Sequence, residues 1–169
     1  MEDPVNEAVI DLPFSGDHED WSSEYSMKLQ NAAMAQRNCN KVEAILDSMK
    51  MKAVRNKYRL EVYEQVNNLV RFSGQVLFDL MAYDISSTAQ EKQEALARLQ
   101  QYPEEFLLIR TTLEEVYGRT RILHKPEGYL LDQDHHHHLA NQSINFDWQF
   151  GAEIYFLEKL EEQLNNLQQ

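Results

Sequence analysis

Cysteine is all but missing from this chain. Cys39 is the only one in 169 residues, so no intramolecular disulfide can brace the fold. None is needed, because a domain of this length buries roughly two-thirds of its unfolded surface and holds together on an apolar core. Cys39 sits in a helical pattern between Asn38 and Asn40 and reads as a small packing residue rather than a nucleophile. Glycine is nearly as scarce, with five residues in all, and no glycine-rich phosphate loop, dinucleotide fingerprint, G-x-S-x-G elbow or C-x-x-C pair occurs. Basic residues are outnumbered, 16 against 28 acidic ones, and the net charge of −12 opposes binding to phosphate backbones and anionic lipid surfaces. Neither nucleic acid nor membrane is therefore an expected partner. No stretch approaches the ~20 apolar residues of a membrane span, and the opening M-E-D-P-V-N-E is acidic where a secretion signal is basic.

What the chain does have is helical periodicity. Ser22 or Ser23 can cap a helix with Glu24 in its first turn, and no proline or glycine follows until Gly74. Positions Val42, Ile45, Leu46 and Met49, then Tyr58, Val62, Val66, Leu69, Ser73, Val76, Leu77 and Leu80, step by three and four and predict one inward stripe, apolar but for Ser73. About sixty residues of unbroken helix would make a rod of roughly 90 Å, too long for a compact domain of this size. A kink or short interruption is expected at 49–57, where M-K-M-K-A-V-R-N-K thins the stripe, with a long overhanging helix as the alternative. Ser86, Ser87 or Thr88 can cap a short helix carrying Leu96 and Leu99. Pro103, Glu104 and Glu105 suit the start of the next, and Gly118 suits a left-handed C-terminal cap. A last helix is expected from Asn145, with Phe146, Phe150, Ile154, Leu157, Leu160 and Leu164 as its stripe. The sum is an all-α, irregular up-and-down bundle of about four helices with one long loop. Residues 1–20, with Val9, Ile10 and Leu12 ahead of Pro13, read as a linker or tail from an upstream domain, and 21–169 as the bundle.

The long loop, about 24 residues over 119–142, concentrates the chemistry. It holds Asp132, Asp134, the consecutive His135, His136, His137 and His138, and Asn141. Adjacent residues of an extended segment point to opposite sides, so at most His135 with His137, or His136 with His138, could share an ion, with Asp132 or Asp134 assisting. The expected helices carry no histidine, and the Glu-x-x-His pairs of di-iron bundles are missing. A dedicated metal site is not expected, nor is a cofactor. The loop is instead a candidate ligand-facing or partner-facing segment whose polar side chains anchor it. Carboxylate neighbours such as Glu104 with Glu105, Glu114 with Glu115 and Glu161 with Glu162 diverge on a helix and read as solvated surface.

The run V-I-D-L-P-F ahead of W-S-S-E-Y-S-M-K-L resembles the helical region after the catalytic barrel in some bacterial family 20 glycoside hydrolases, the β-N-acetylhexosaminidase group. So does the block R-T-R-I-L-H-K-P-E-G-Y-L-L-D-Q-D-H-H-H-H-L-A-N-Q-S with F-D-W-Q-F behind it. That family's adjacent Asp-Glu pair on a barrel strand has no counterpart here, so no catalytic residue carries over. The resemblance implies a non-catalytic accessory domain of a carbohydrate-acting hydrolase. Such a domain would support the catalytic domain, mediate oligomerisation or edge the substrate cleft through the 119–142 loop, would meet glycan through that domain, and would be periplasmic or extracellular. The alternative is an independent helical interaction module, with Trp148, Tyr155 and Phe156 as one candidate face or with a second copy as partner. A metal-dependent bundle enzyme ranks last. Whether the chain is part of an enzyme is open at this point, and it carries no catalytic motif of its own.

Overall fold

The computed structural model describes residues 10–14, 20–120 and 150–167. Those residues form an all-α bundle, and no strand occurs among them. A single turn, α1 (Trp21–Glu24), leads into α2 (Ser26–Lys52), α3 (Lys57–Ile85), α4 (Ala89–Leu99), α5 (Tyr102–Gly118) and α6 (Gly151–Asn166).

The caps show how the sequence sets these boundaries, and two differ from expectation. Asp20, not a serine, caps α1: its carboxylate accepts from the Ser23 backbone N–H at 3.0 Å and from the Ser23 hydroxyl at 2.7 Å. Ser22 is recruited elsewhere, donating its N–H and hydroxyl to Asp84 Oδ2 at 2.9 and 2.6 Å, which ties α1 to the far end of α3. Gly118 does not end α5 in a left-handed turn. The helix runs through it and closes on Arg119 with φ −61°, so the freedom of glycine is not used there. Thr88 caps α4 in a capping box, its hydroxyl accepting from the Glu91 N–H while the Glu91 carboxylate accepts from the Thr88 N–H. Pro103 lies in the first turn of α5, where its missing N–H costs nothing. Gly151 opens α6, and Asn145 lies outside the described residues.

The long helical run breaks inside the interval the sequence marks, and of the kink or short interruption expected there the structure has the interruption, residues 53–56, which reverses the chain. Ala53 is extended and Asn56 turns left-handed at φ 57°, a conformation asparagine tolerates better than most residues. α2 and α3, of 27 and 29 residues, therefore lie antiparallel as a hairpin whose helices are each about 40 Å long.

α3 is the hub. It packs against α1, α2, α4 and α5, and α5 runs along it from Tyr102 beside Asp79 to Arg119 paired with Glu61. Phe72 of α3 meets Tyr102 edge-on at 5.4 Å and Phe106 at 5.7 Å, and Phe106 meets Phe150 edge-on at 5.7 Å ahead of α6. Leu157, Leu160 and Leu164 of α6 complete that core. Ile10 to Phe14, placed outside the bundle by composition, pack on it. Leu12 is fully buried, and Trp21 Nε1 donates to the Asp11 carbonyl at 2.7 Å. Each fully buried side chain, Trp21, Phe150, Leu12, Leu80, Leu99 and Leu160, contributes about 1.5–3 kcal/mol by removal from water.

Candidate functional site

Asp132, Asp134, His135, His136, His137, His138 and Asn141 all lie outside the described residues. Among the described residues no group of three His, Cys, Asp or Glu side chains is placed to hold a metal ion. Of the two described members of the candidate face Trp148, Tyr155 and Phe156, Tyr155 is exposed. Phe156 packs half-buried against the core, and Trp148 lies outside the described residues.

One polar cluster is buried in the body. Asp79 of α3 accepts from Arg98 Nε of α4 at 2.8 Å on one oxygen and from the Tyr102 hydroxyl of α5 on the other. Burial pushes the Tyr102 hydroxyl well above its ordinary range, reinforced by its hydrogen bond to Asp79 and by the adjacent charge. Both carboxylate oxygens are engaged, and the Asp79 and Tyr102 side chains line none of the cavities described below. The cluster therefore joins three helices and leaves nothing to attack or protonate a substrate. A hollow of about 190 Å³ between α3 and α6 is lined by Ile10, Phe72, Val76, Leu77 and Phe156 among others, and Glu153 is the one carboxylate that the described residues place on it.

The α2–α3 hairpin presents a different kind of surface. Its two helices are tied along one flank by polar contacts. Gln36 Nε2 donates to the Arg71 carbonyl at 2.7 Å, Arg71 forks onto Asn40 Oδ1 at 2.6 Å and Glu43 Oε2 at 2.8 Å, and Lys50 pairs with Glu64. Between the helices Asn67 is buried, donating Nδ2 to the Cys39 carbonyl at 3.3 Å, and the buried Cys39 thiol faces the Asn67 carbonyl at 3.8 Å. Gly74 leaves room for Gln36, since an added Cβ would stand 2.9 Å from Gln36 Nε2, the movable tip of the side chain.

The other flank is apolar and open. Ala35, Asn38, Cys39, Val42, Ile45 and Leu46 of α2 face Tyr63, Val66, Asn67 and Val70 of α3 across a groove of about 420 Å³. Val42, Ile45, Met49 and Val66 were expected to point inward, yet they are 38–56% exposed, with Tyr63 at 61% and Val70 at 45%. The stripe has helical spacing but faces a side of the hairpin that no other described helix covers. The sequence does hold a signal for this. Gln36, Asn40, Glu43, Asn67 and Arg71 supply the contacts between the helices, which frees the neighbouring aliphatic positions to face outward.

Among the described residues no carboxylate, histidine, lysine or arginine lines the groove, so they give it no anchor for a charged ligand. Its ridges at 35, 39, 42 and 46 and at 63, 66 and 70 have the spacing that accepts the side-chain ridge of a third helix. No helix of the described residues is long and apolar enough to cross a membrane. No family model, curated protein or solved structure matches the chain.

Proposed function

We propose that the chain is a non-catalytic helical accessory domain that docks an apolar-striped helix of a protein partner in the groove between α2 and α3. The observation that carries this reading is the division of the hairpin into a polar flank that holds its two helices together and an apolar flank exposed to solvent. An aliphatic row left in water gains about 25 cal/mol for each Å² that a partner covers, and a helix laid in a groove is a recurrent way to cover it. The resemblance to the region behind the barrel of family 20 glycoside hydrolases supports a finer reading, in which the docked helix belongs to the catalytic domain of a carbohydrate-acting hydrolase.

Two measurements test this. The native reading frame should encode a barrel ahead of these residues, and a frame without one removes the hydrolase setting. In the full-length protein, Val66→Lys should uncouple this domain, splitting one thermal unfolding transition into two. The isolated chain should lose no more than about 0.5 kcal/mol, because Val66 is on its surface. A full-length protein whose unfolding is unchanged by Val66→Lys and by Ile45→Lys would show that the groove docks nothing in it.

A further inference from the structure

The net charge of −12 is not spread evenly. Five of the sixteen basic residues, Lys50, Lys52, Arg55, Lys57 and Arg59, fall within positions 50–59, which hold no acidic residue. The other 159 positions carry 11 basic against 28 acidic residues. The hairpin reversal gathers this decade at one apex, with Met51 83% and Val54 89% exposed beside the charges. Glu61 and Glu64, the nearest carboxylates on α3, are engaged by Arg119 and Lys50. Lys52, Arg55, Lys57 and Arg59 make no ion pair among the described residues.

Helix stability does not account for the cluster. Lys50 and Lys52 suit the negative C-terminal end of α2, but Lys57 and Arg59 stand in the first turn of α3, at its positive end. No acidic residue relieves them there, and the Asn56 cap makes no side-chain hydrogen bond. Where local rules are broken without local gain, a functional cause is the usual explanation.

We infer that this apex associates peripherally with an anionic lipid surface, Lys52, Arg55, Lys57 and Arg59 facing the headgroups while Met51 and Val54 enter the interface. The apex is a hairpin tip about ten residues in extent, whereas a protein interface takes roughly 20–30 residues a side with matched shape. A bilayer surface demands no such match. The acidic residues of α4 and α6 do not cancel the attraction, because α3 separates the apex from its contacts with those helices by roughly 20–30 Å, about three times the Debye length of about 8 Å in physiological salt. The end of α5 that reaches nearer presents Arg119, paired with Glu61. The groove midway along the hairpin plays no part in this contact, so the two proposals stand or fall separately.

Sedimentation with vesicles tests it directly. The chain should co-sediment with vesicles of phosphatidylglycerol and phosphatidylcholine in equal parts, and not with pure phosphatidylcholine. Each basic residue near an anionic leaflet is worth roughly five-fold in partitioning, so Lys52→Gln with Arg55→Gln should lower it roughly twenty-five-fold. Val54→Asp should lower it as well, and far-ultraviolet circular dichroism should stay unchanged in both variants, whose altered side chains are exposed. Equal binding to both vesicle types, no binding to either, or a double variant that binds like the parent overturns the proposal. Retention on immobilised polyglutamate that Val54→Asp leaves intact also overturns it, and assigns the apex to an acidic protein instead.

Discussion

Tyr102 is the residue on which the body of the bundle turns. Its ring fills the core against Phe72, and its hydroxyl supplies one of the two hydrogen bonds that satisfy the buried Asp79. Tyr102→Phe keeps the ring and strands that carboxylate oxygen, a loss expected at about 1–2 kcal/mol and measured by urea unfolding at neutral pH. The pH dependence has a definite sign. Because the folded chain holds this proton above the ordinary value of 10.0, the unfolded chain gives it up first. The stability gained from the neutral hydroxyl is complete below pH 10 and is lost as pH rises beyond it. The alkaline fall in unfolding free energy should therefore be shallower in Tyr102→Phe than in the parent. An equal slope in both would show that Tyr102 does not govern the alkaline limb. Nothing in the sequence marks Tyr102 or Asp79 for this role, since the contact joins positions 23 residues apart through packing that only the assembled helices define.

At the level of elements, what could be read in advance was what is local. Thr88 and Glu91 stand three apart with strong helix formers behind them, and the capping box forms there. Thr88→Ala should cost about 1 kcal/mol, seen as a lower urea midpoint without a change in slope. The Thr88 hydroxyl, then the Thr88 backbone, hydrogen-bonds the Glu91 carboxylate and lowers its pKa from the ordinary 4.5. The box therefore contributes in full above that value and fades as pH falls below it. Glu91→Gln should flatten that acid decline, and an unchanged acid limb would show the box to be energetically silent. The break at 49–57 was legible because basic residues thin the stripe there. That it is a reversal depends on Asn56 turning left-handed, which composition does not state. The facing of Val42, Ile45 and Val66 was not legible for a deeper reason. Periodicity gives the spacing of a stripe, but whether it is buried depends on which neighbours cover it, and α5 covers a different side of α3. The histidine segment falls outside the described residues, so the groove stands as the candidate site on its own geometry.

Taken as a whole, the molecule is a body with an arm. Helices α4 and α6, α5 as far as Tyr117 and the entry residues Ile10 to Phe14 share one core with α3, while the distal half of α2 touches the rest mainly through α3. Stability should be graded accordingly, because regions with few buried apolar contacts open first. In native-state hydrogen exchange the amides around Phe72, Val76 and Leu80 should be the last to exchange and those around Val42 to Met49 among the earliest in any helix. Uniform protection along α2 and α3 would mean that arm and body unfold as one.

The single thiol bears on that gradient. Cys39 lies shut between the two helices of the arm, beside the buried Asn67, and no other sulfhydryl exists to compete with it. The native chain thus carries its own clock for the parting of α2 from α3. Each departure of α2 bares one reactive sulfur, and a colorimetric thiol reagent counts those departures while the body stays folded.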